Sequence, residues 1–175
     1  MEFEKLIAER RSIRSYREET ISEELIRKVL LNAQMAPSWK NSQTARCHVV
    51  SGSELDSIRT AILPERNANN AGNAVLIITC FVKDTSGFTD GKADNDGGNF
   101  WGAYDLGLHD ALLVLSARNN GLDTLIMGLR DSQKIRELLD IPENEQIMSV
   151  IAMGYRNQDP AQRPRKPLEE VADFR

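Results

Sequence analysis

Arg10-Arg11-Ser12-Ile13-Arg14-Ser15-Tyr16 is the stretch on which the reading of this chain turns. Arg10, Arg11, Ser12 and Arg14 offer donors suited to an anion, yet the chain's formal net charge is −4. An acidic balance argues against the broad electropositive face of sequence-independent nucleic-acid binding, which must neutralise many phosphates. The basic residues therefore act locally. They gather at two ends, Arg10, Arg11, Arg14 and Arg17 near the start and Arg156, Arg163, Arg165 and Lys166 near the finish. That distribution suits one small anion gripped from two sequence-distant segments, against the plainer reading of a solvated charged surface.

Outward from this stretch, residues 2–10 read as a short helix with Phe3, Leu6 and Ile7 on one side. Ser22 followed by Glu23 and Glu24 is an N-cap and acidic first turn, opening a helix to Met35 that Pro37 ends. Cys47 to Val50 reads as a strand and Glu54 to Ile62 as a helix, broken by Pro64 and the Asn-rich residues 67–73. Ala74 to Val82 is a continuous apolar run with β-branched residues, the pattern of a strand buried on both faces. Residues 83–98 read as a loop. Asn99 to Asn119 is a helix apolar around most of its circumference, and is expected to be buried all round. Gly102 and Gly107 inside it point to close approach by another backbone or a ligand. A strand at Thr124 to Met127, a helix from Ser132 and a strand from Gln146 to Met153 follow. The tail from Asp159, with Pro160, Pro164 and Pro167, lies extended. Strands alternating with helices over 175 residues give one domain, 1–175.

Several chemistries are absent. Asp94-Asn95-Asp96-Gly97 fails the EF-hand spacing, which would put Lys92 and Ala103 at ligand positions. His48 and His109 are scattered and Cys47 and Cys80 form no CxxC pair, so no metal is expected. No P-loop, G-x-G-x-x-G or G-x-S-x-G motif occurs. His109, on a nearly all-apolar helix, reads as a satisfied core residue. No apolar run reaches a membrane span and the first residues lack signal-peptide character, so a cytoplasmic protein with free thiols is expected. Anion grips and apolar surface without a reactive constellation point to a bound cofactor that carries the chemistry.

The Arg10–Tyr16 stretch, then Ala36-Pro37-Ser38-Trp39-Lys40-Asn41-Ser42-Gln43, then Tyr104-Asp105-Leu106-Gly107, Gly121-Leu122-Asp123-Thr124, Gly154-Tyr155 and Arg163-Pro164-Arg165-Lys166-Pro167-Leu168 resemble, in that order, the nitroreductase family of FMN-dependent oxidoreductases. The resemblance implies an α+β fold of three α/β/α layers around a mostly antiparallel sheet, with an extended C-terminal tail and an obligate homodimer holding FMN at its interface. It implies a phosphate held by Arg10, Ser12 and Arg14 with Arg163 and Arg165; Arg11 is a weaker member because side chains alternate in an extended segment. Pro37, Ser38, Asn41 and Gln43 would meet the flavin of the partner subunit. The main-chain N–H groups of Met127 and Gly128 would lie near flavin N5 and O4, and Asn67 near the N1/O2 edge. Trp39, Phe88, Phe100 and Trp101 would border the substrate pocket.

The implied activity is hydride transfer from NADPH or NADH through the flavin to a nitroaromatic, quinone or related small acceptor, in ping-pong fashion. Dehalogenation, flavin fragmentation or heterocycle oxidation on the same scaffold is the alternative, followed by a non-catalytic flavin carrier or sensor and by a cofactor-free interaction domain. Thr44-Ala45 replaces the family's Pro-Trp after the glutamine, and Met127 stands where an acidic residue is common; both leave substrate choice open.

Overall fold

The structure, a computed structural model, describes residues 2–175. Four strands form the central sheet: β1 (Ala45–Val50), β2 (Val75–Val82), β5 (Asp123–Met127) and β6 (Glu145–Gly154), in the order β1-β2-β6-β5 with every pairing antiparallel. A two-stranded hairpin, β3 (Phe88–Thr89) with β4 (Lys92–Ala93), stands apart. The helices are α1 (Phe3–Glu9), α2 (Glu23–Ala33), α3 (Leu55–Ile62), α4 (Glu65–Ala71), α5 (Phe100–Asn119) and α6 (Ser132–Leu138).

Period-2 alternation along β2 divides the core into two layers. Leu76, Ile78 and Cys80 face one cluster with Ile58 and Ile62 of α3, Ala68 and Ala71 of α4 and Ile135 of α6. Val75 and Ile77 face the other, with Ile26 and Val29 of α2 and Leu113, Val114 and Ala117 of α5. The result is the expected three-layer α/β/α arrangement around an antiparallel sheet. Ser22 caps α2 by accepting the Leu25 N–H at 3.2 Å.

Four local differences have physical causes. The Asn-rich stretch is helical as far as Ala71: Pro64 precedes α4, where its missing N–H costs nothing, and Ala68 and Ala71 are buried. The 83–98 segment contains the β3/β4 hairpin, turned at Asp90 and Gly91, both at positive φ. Helix α1 buries none of its residues. Helix α5 is not enclosed all round, since Phe100 and Tyr104 are exposed and Gly107 and Ala111 open outward. Gly102 is there for packing, because a Cβ on it would meet the Phe81 ring at 2.3 Å, whereas a Cβ on Gly107 would meet nothing within 4 Å.

Candidate functional site

The Arg10–Tyr16 stretch runs beside β5 as an incomplete edge strand. Ser12 makes a parallel bridge to Thr124, and the Ile13 N–H donates to the Thr124 carbonyl at 3.0 Å. Ile13 is fully buried, so alternation turns Ser12 and Arg14 to the other side, where both are exposed. Tyr16 bridges to Arg156, and its hydroxyl donates to the Ile13 carbonyl at 3.0 Å. Desolvation, with Asp123 nearby, pushes the Tyr16 phenol well above its usual range, so it stays a neutral donor.

The anchor of this corner is Asp123, almost fully buried at the start of β5. Its two oxygens accept from Arg156 Nε and Nη2 at 2.7 Å each, and Arg118 Nη1 adds a bond at 3.3 Å. That bidentate hydrogen bond holds the Arg156 guanidinium even more firmly protonated than usual. Arg118 also reaches Glu9 at 3.0 Å and draws its carboxyl below the ordinary value. Chain start, β5 and the end of β6 are thereby clamped together.

Arg10 and Ser12 line a cavity of about 530 Å³ with Ala103, Gly107 and Ala111 of α5, Thr124 and Ile126 of β5, and Met148 of β6. Ile126, Met148 and Tyr104 leave apolar surface exposed beside it. Asp110 also borders the cavity, but its carboxylate is engaged by Thr79 Oγ1 at 3.0 Å and His109 Nδ1 at 3.1 Å. Arg11 turns away: its guanidinium caps the carbonyls of Ala8 and Arg10 at the end of α1.

Past β5, the Asn67 amide of α4 donates to the Leu129 carbonyl at 3.1 Å and Arg130 Nη1 to the Gly128 carbonyl at 2.6 Å, fixing the 127–130 turn. The Met127 side chain is in the opposite core layer, so toward the cavity side it can offer its main chain and no side-chain group. Gly128 is exposed, and a Cβ there would meet open space.

Pro37, Ser38 and Gln43 border a second cavity of about 340 Å³, shared with Cys47, Asp105 and His109. The turn holding them is left-handed at Lys40, Asn41 and Gln43. Ser38 Oγ accepts the Gln43 N–H at 2.9 Å, the Trp39 N–H donates to Asp105 Oδ2 at 2.9 Å, and Lys40 Nζ reaches Thr89 at 2.8 Å and Asp94 at 3.3 Å. Trp39 packs on Trp101 with ring centroids 4.8 Å apart, and Trp101 meets Tyr104 edge-on at 5.4 Å. Phe100 is exposed and Phe88 half-buried in β3. Burial, then Asp110, pushes the Cys47 thiol up to about 12, and His109 Nε2 lies 4.0 Å from its sulfur.

Within one chain, then, Arg10 and Ser12 come together on one cavity while the Pro37–Gln43 segment borders another. Arg163 and Arg165 are exposed on the tail, with no hydrogen bond or ion pair to residues 10–14 among the described residues; Arg165 Nη1 instead meets the Arg163 carbonyl at 3.2 Å. Ile126, Met148 and Leu129 escaped the sequence reading because single exposed apolar residues carry no spacing signal. Asp105, quoted within the Tyr104–Gly107 segment, gave no sign of its tethering role because its partners, Trp39 and Ser86, are distant in sequence.

The family model described as the nitroreductase family matches residues 7–155. The chain belongs to the nitroreductase family. A curated relative from Archaeoglobus fulgidus, provisionally named an NADH dehydrogenase/NAD(P)H nitroreductase, is 31% identical over 156 residues, covering 86% of this chain and 83% of that protein. A nitroreductase family protein from Clostridium difficile 630 is 26% identical at a TM-score of 0.80, over 99% and 98% of the two chains. A protein of Exiguobacterium sibiricum solved in complex with FMN shares the fold at a TM-score of 0.88 and 20% identity, over 100% of this chain and 98% of that one. Against this nitroreductase background the Arg10 and Ser12 cavity suits a flavin mononucleotide. A phosphate wants guanidinium and hydroxyl donors, an aromatic tricycle wants apolar wall, and Gly107 leaves the space a side chain would fill.

Proposed function

We propose that this oxidoreductase binds FMN and passes a hydride from NADH or NADPH to a nitroaromatic, quinone or related small acceptor by a ping-pong mechanism. The observation that carries the reading is the cavity where Arg10 and Ser12 meet a mostly apolar wall from α5, β5 and β6. Arg10, Ser12 and Arg14 would hold the phosphate, with Arg163 and Arg165 joining them once the tail is seated. The Met127 and Gly128 N–H groups and Asn67 would orient the ring. When bound, FMN supplies hydride acceptance and return.

The chain's own part is binding, orientation and exclusion of water. Ile126 and Met148 give an apolar floor, and main-chain donors at 127–128 favour negative charge on a reduced ring. Pro37, Ser38 and Gln43 border a different cavity from Arg10, which favours a homodimer in which their segment, with Asn41, completes the partner's site. Trp39 and Trp101, packed at a tilt in one aromatic group, would border the acceptor. The described helices include none long and apolar enough to cross a membrane, and both cysteines are free thiols, which supports a reducing cytoplasmic location.

Anaerobic titration of the purified protein with NADH and NADPH tests the reading. Bleaching of the flavin band by either nucleotide, then recovery on adding a quinone, is the expected result; colourless protein that takes up no added FMN overturns it.

A further inference from the structure

We propose that His48, Cys80 and Glu145 form a binding site for a zinc ion. Their ligand atoms all lie within 4.8 Å of one another, with His48 Nε2 2.7 Å from Glu145 Oε2. The three residues stand on the neighbouring strands β1, β2 and β6, so the sheet's own hydrogen bonds fix their spacing. A register shift in the β2/β6 pairing falls between Thr79 and Cys80, an irregularity of the kind that re-aims a side chain.

Cys80 is fully buried and free, and its thiol makes no hydrogen bond among the described residues, so a polar sulfur is aimed at the His–Glu pair without a partner. Thiolate, imidazole and carboxylate are zinc's usual donors, at about 2.3, 2.0 and 2.1 Å, and a tetrahedral ion needs donors roughly 3 to 4 Å apart. Closing from 4.8 Å to that spacing would take only small side-chain shifts. Three protein ligands leave one position to water, and the His48 side chain, 28% exposed, gives a way in.

Arg130 and Arg136 lie within electrostatic reach of Cys80 and would oppose a bare dication. Thiolate and carboxylate cancel the ion's charge, however, and the two guanidinium groups bond to carbonyl oxygens, Arg130 to Gly128 and Ile147, Arg136 to Ile141, Pro142 and Glu145. The site departs from the expectation of no metal because His48 and Glu145 are 97 residues apart and only strand pairing joins them.

The test is zinc retention by the intact protein, equilibrated with excess zinc, desalted and measured by elemental mass spectrometry. Wild type and the Cys47→Ser control should keep about one ion per chain, as expected of a protein-ligated zinc site. Cys80→Ser, Glu145→Gln and His48→Gln should each fall at least tenfold. His48→Gln, at a partly exposed position, keeps the test meaningful if Cys80→Ser fails to fold, which circular dichroism reports. Wild-type zinc no higher than in His48→Gln overturns the proposal, as does zinc content indifferent to all three changes.

Discussion

The Asp105 carboxylate of α5 accepts the backbone N–H of Trp39 at 2.9 Å and also the Ser86 hydroxyl, so one buried group ties the central helix to the Pro37–Gln43 turn and to the 83–98 segment. Asp105→Ala leaves both donors unsatisfied in a buried setting and should cost about 1–3 kcal/mol per orphaned group. Denaturant unfolding measures the loss. Proteolysis within 38–43 should speed up in parallel, and unchanged proteolysis would mean that the turn is held by other bonds.

Asp123 pairs with two arginines at the junction of β5, β6 and the chain start. Replacing it with alanine leaves Arg156 and Arg118 without their buried partner, a change on the order of 3–5 kcal/mol. A loss of unfolding free energy of that size is expected from urea titration, with loss of retained flavin because the Arg10–Tyr16 stretch loses its anchor.

The proposed phosphate grip predicts unequal effects along one segment. Arg10→Ala and Arg14→Ala should each weaken FMN retention at least tenfold, since a charged hydrogen bond is worth about 1.5–3 kcal/mol. Arg11→Ala should retain flavin, because its guanidinium caps α1. Arg165→Ala should match Arg14→Ala if the tail closes on the phosphate, and equal retention to wild type would remove the tail from the site. Flavin absorbance per chain after dialysis separates these cases.

Two glycines of one helix should respond oppositely. Gly102→Ala forces a methyl into Phe81 and should destabilise by about 1–3 kcal/mol. Gly107→Ala meets open space and should stabilise the flavin-free chain by up to about 1 kcal/mol through helix propensity. The methyl it adds lines the cavity, so flavin affinity should fall as the melting temperature of the stripped protein rises.

The raised thiol of Cys47 gives a stability change with pH. Burial lifts it from 9.0 to about 12, so the unfolded chain loses this proton before the folded chain does. Its contribution is complete below the unfolded value and is lost as pH climbs toward the folded one. Urea midpoints at pH 8 and 10.5 should show a steeper alkaline decline in wild type than in Cys47→Ser, and identical slopes would count against the shift.

Local chemistry made much of this molecule legible. The Ser22 cap, the apolar run of β2 and the Pro37 stop are set by residues within a few positions of one another, so those elements are legible in the sequence. That Ser12 and Arg14 share the face opposite buried Ile13 was legible for the same reason, since alternation is a property of an extended chain. Tertiary structure alone decided the rest. It set the strand order β1-β2-β6-β5, took the Asn-rich stretch as far as Ala71 into α4 by burying Ala68 and Ala71, made Asp105 a tether, and joined His48 to Glu145. Each depends on groups tens of residues apart whose meeting is fixed by packing, and sequence spacing carries no record of such a meeting.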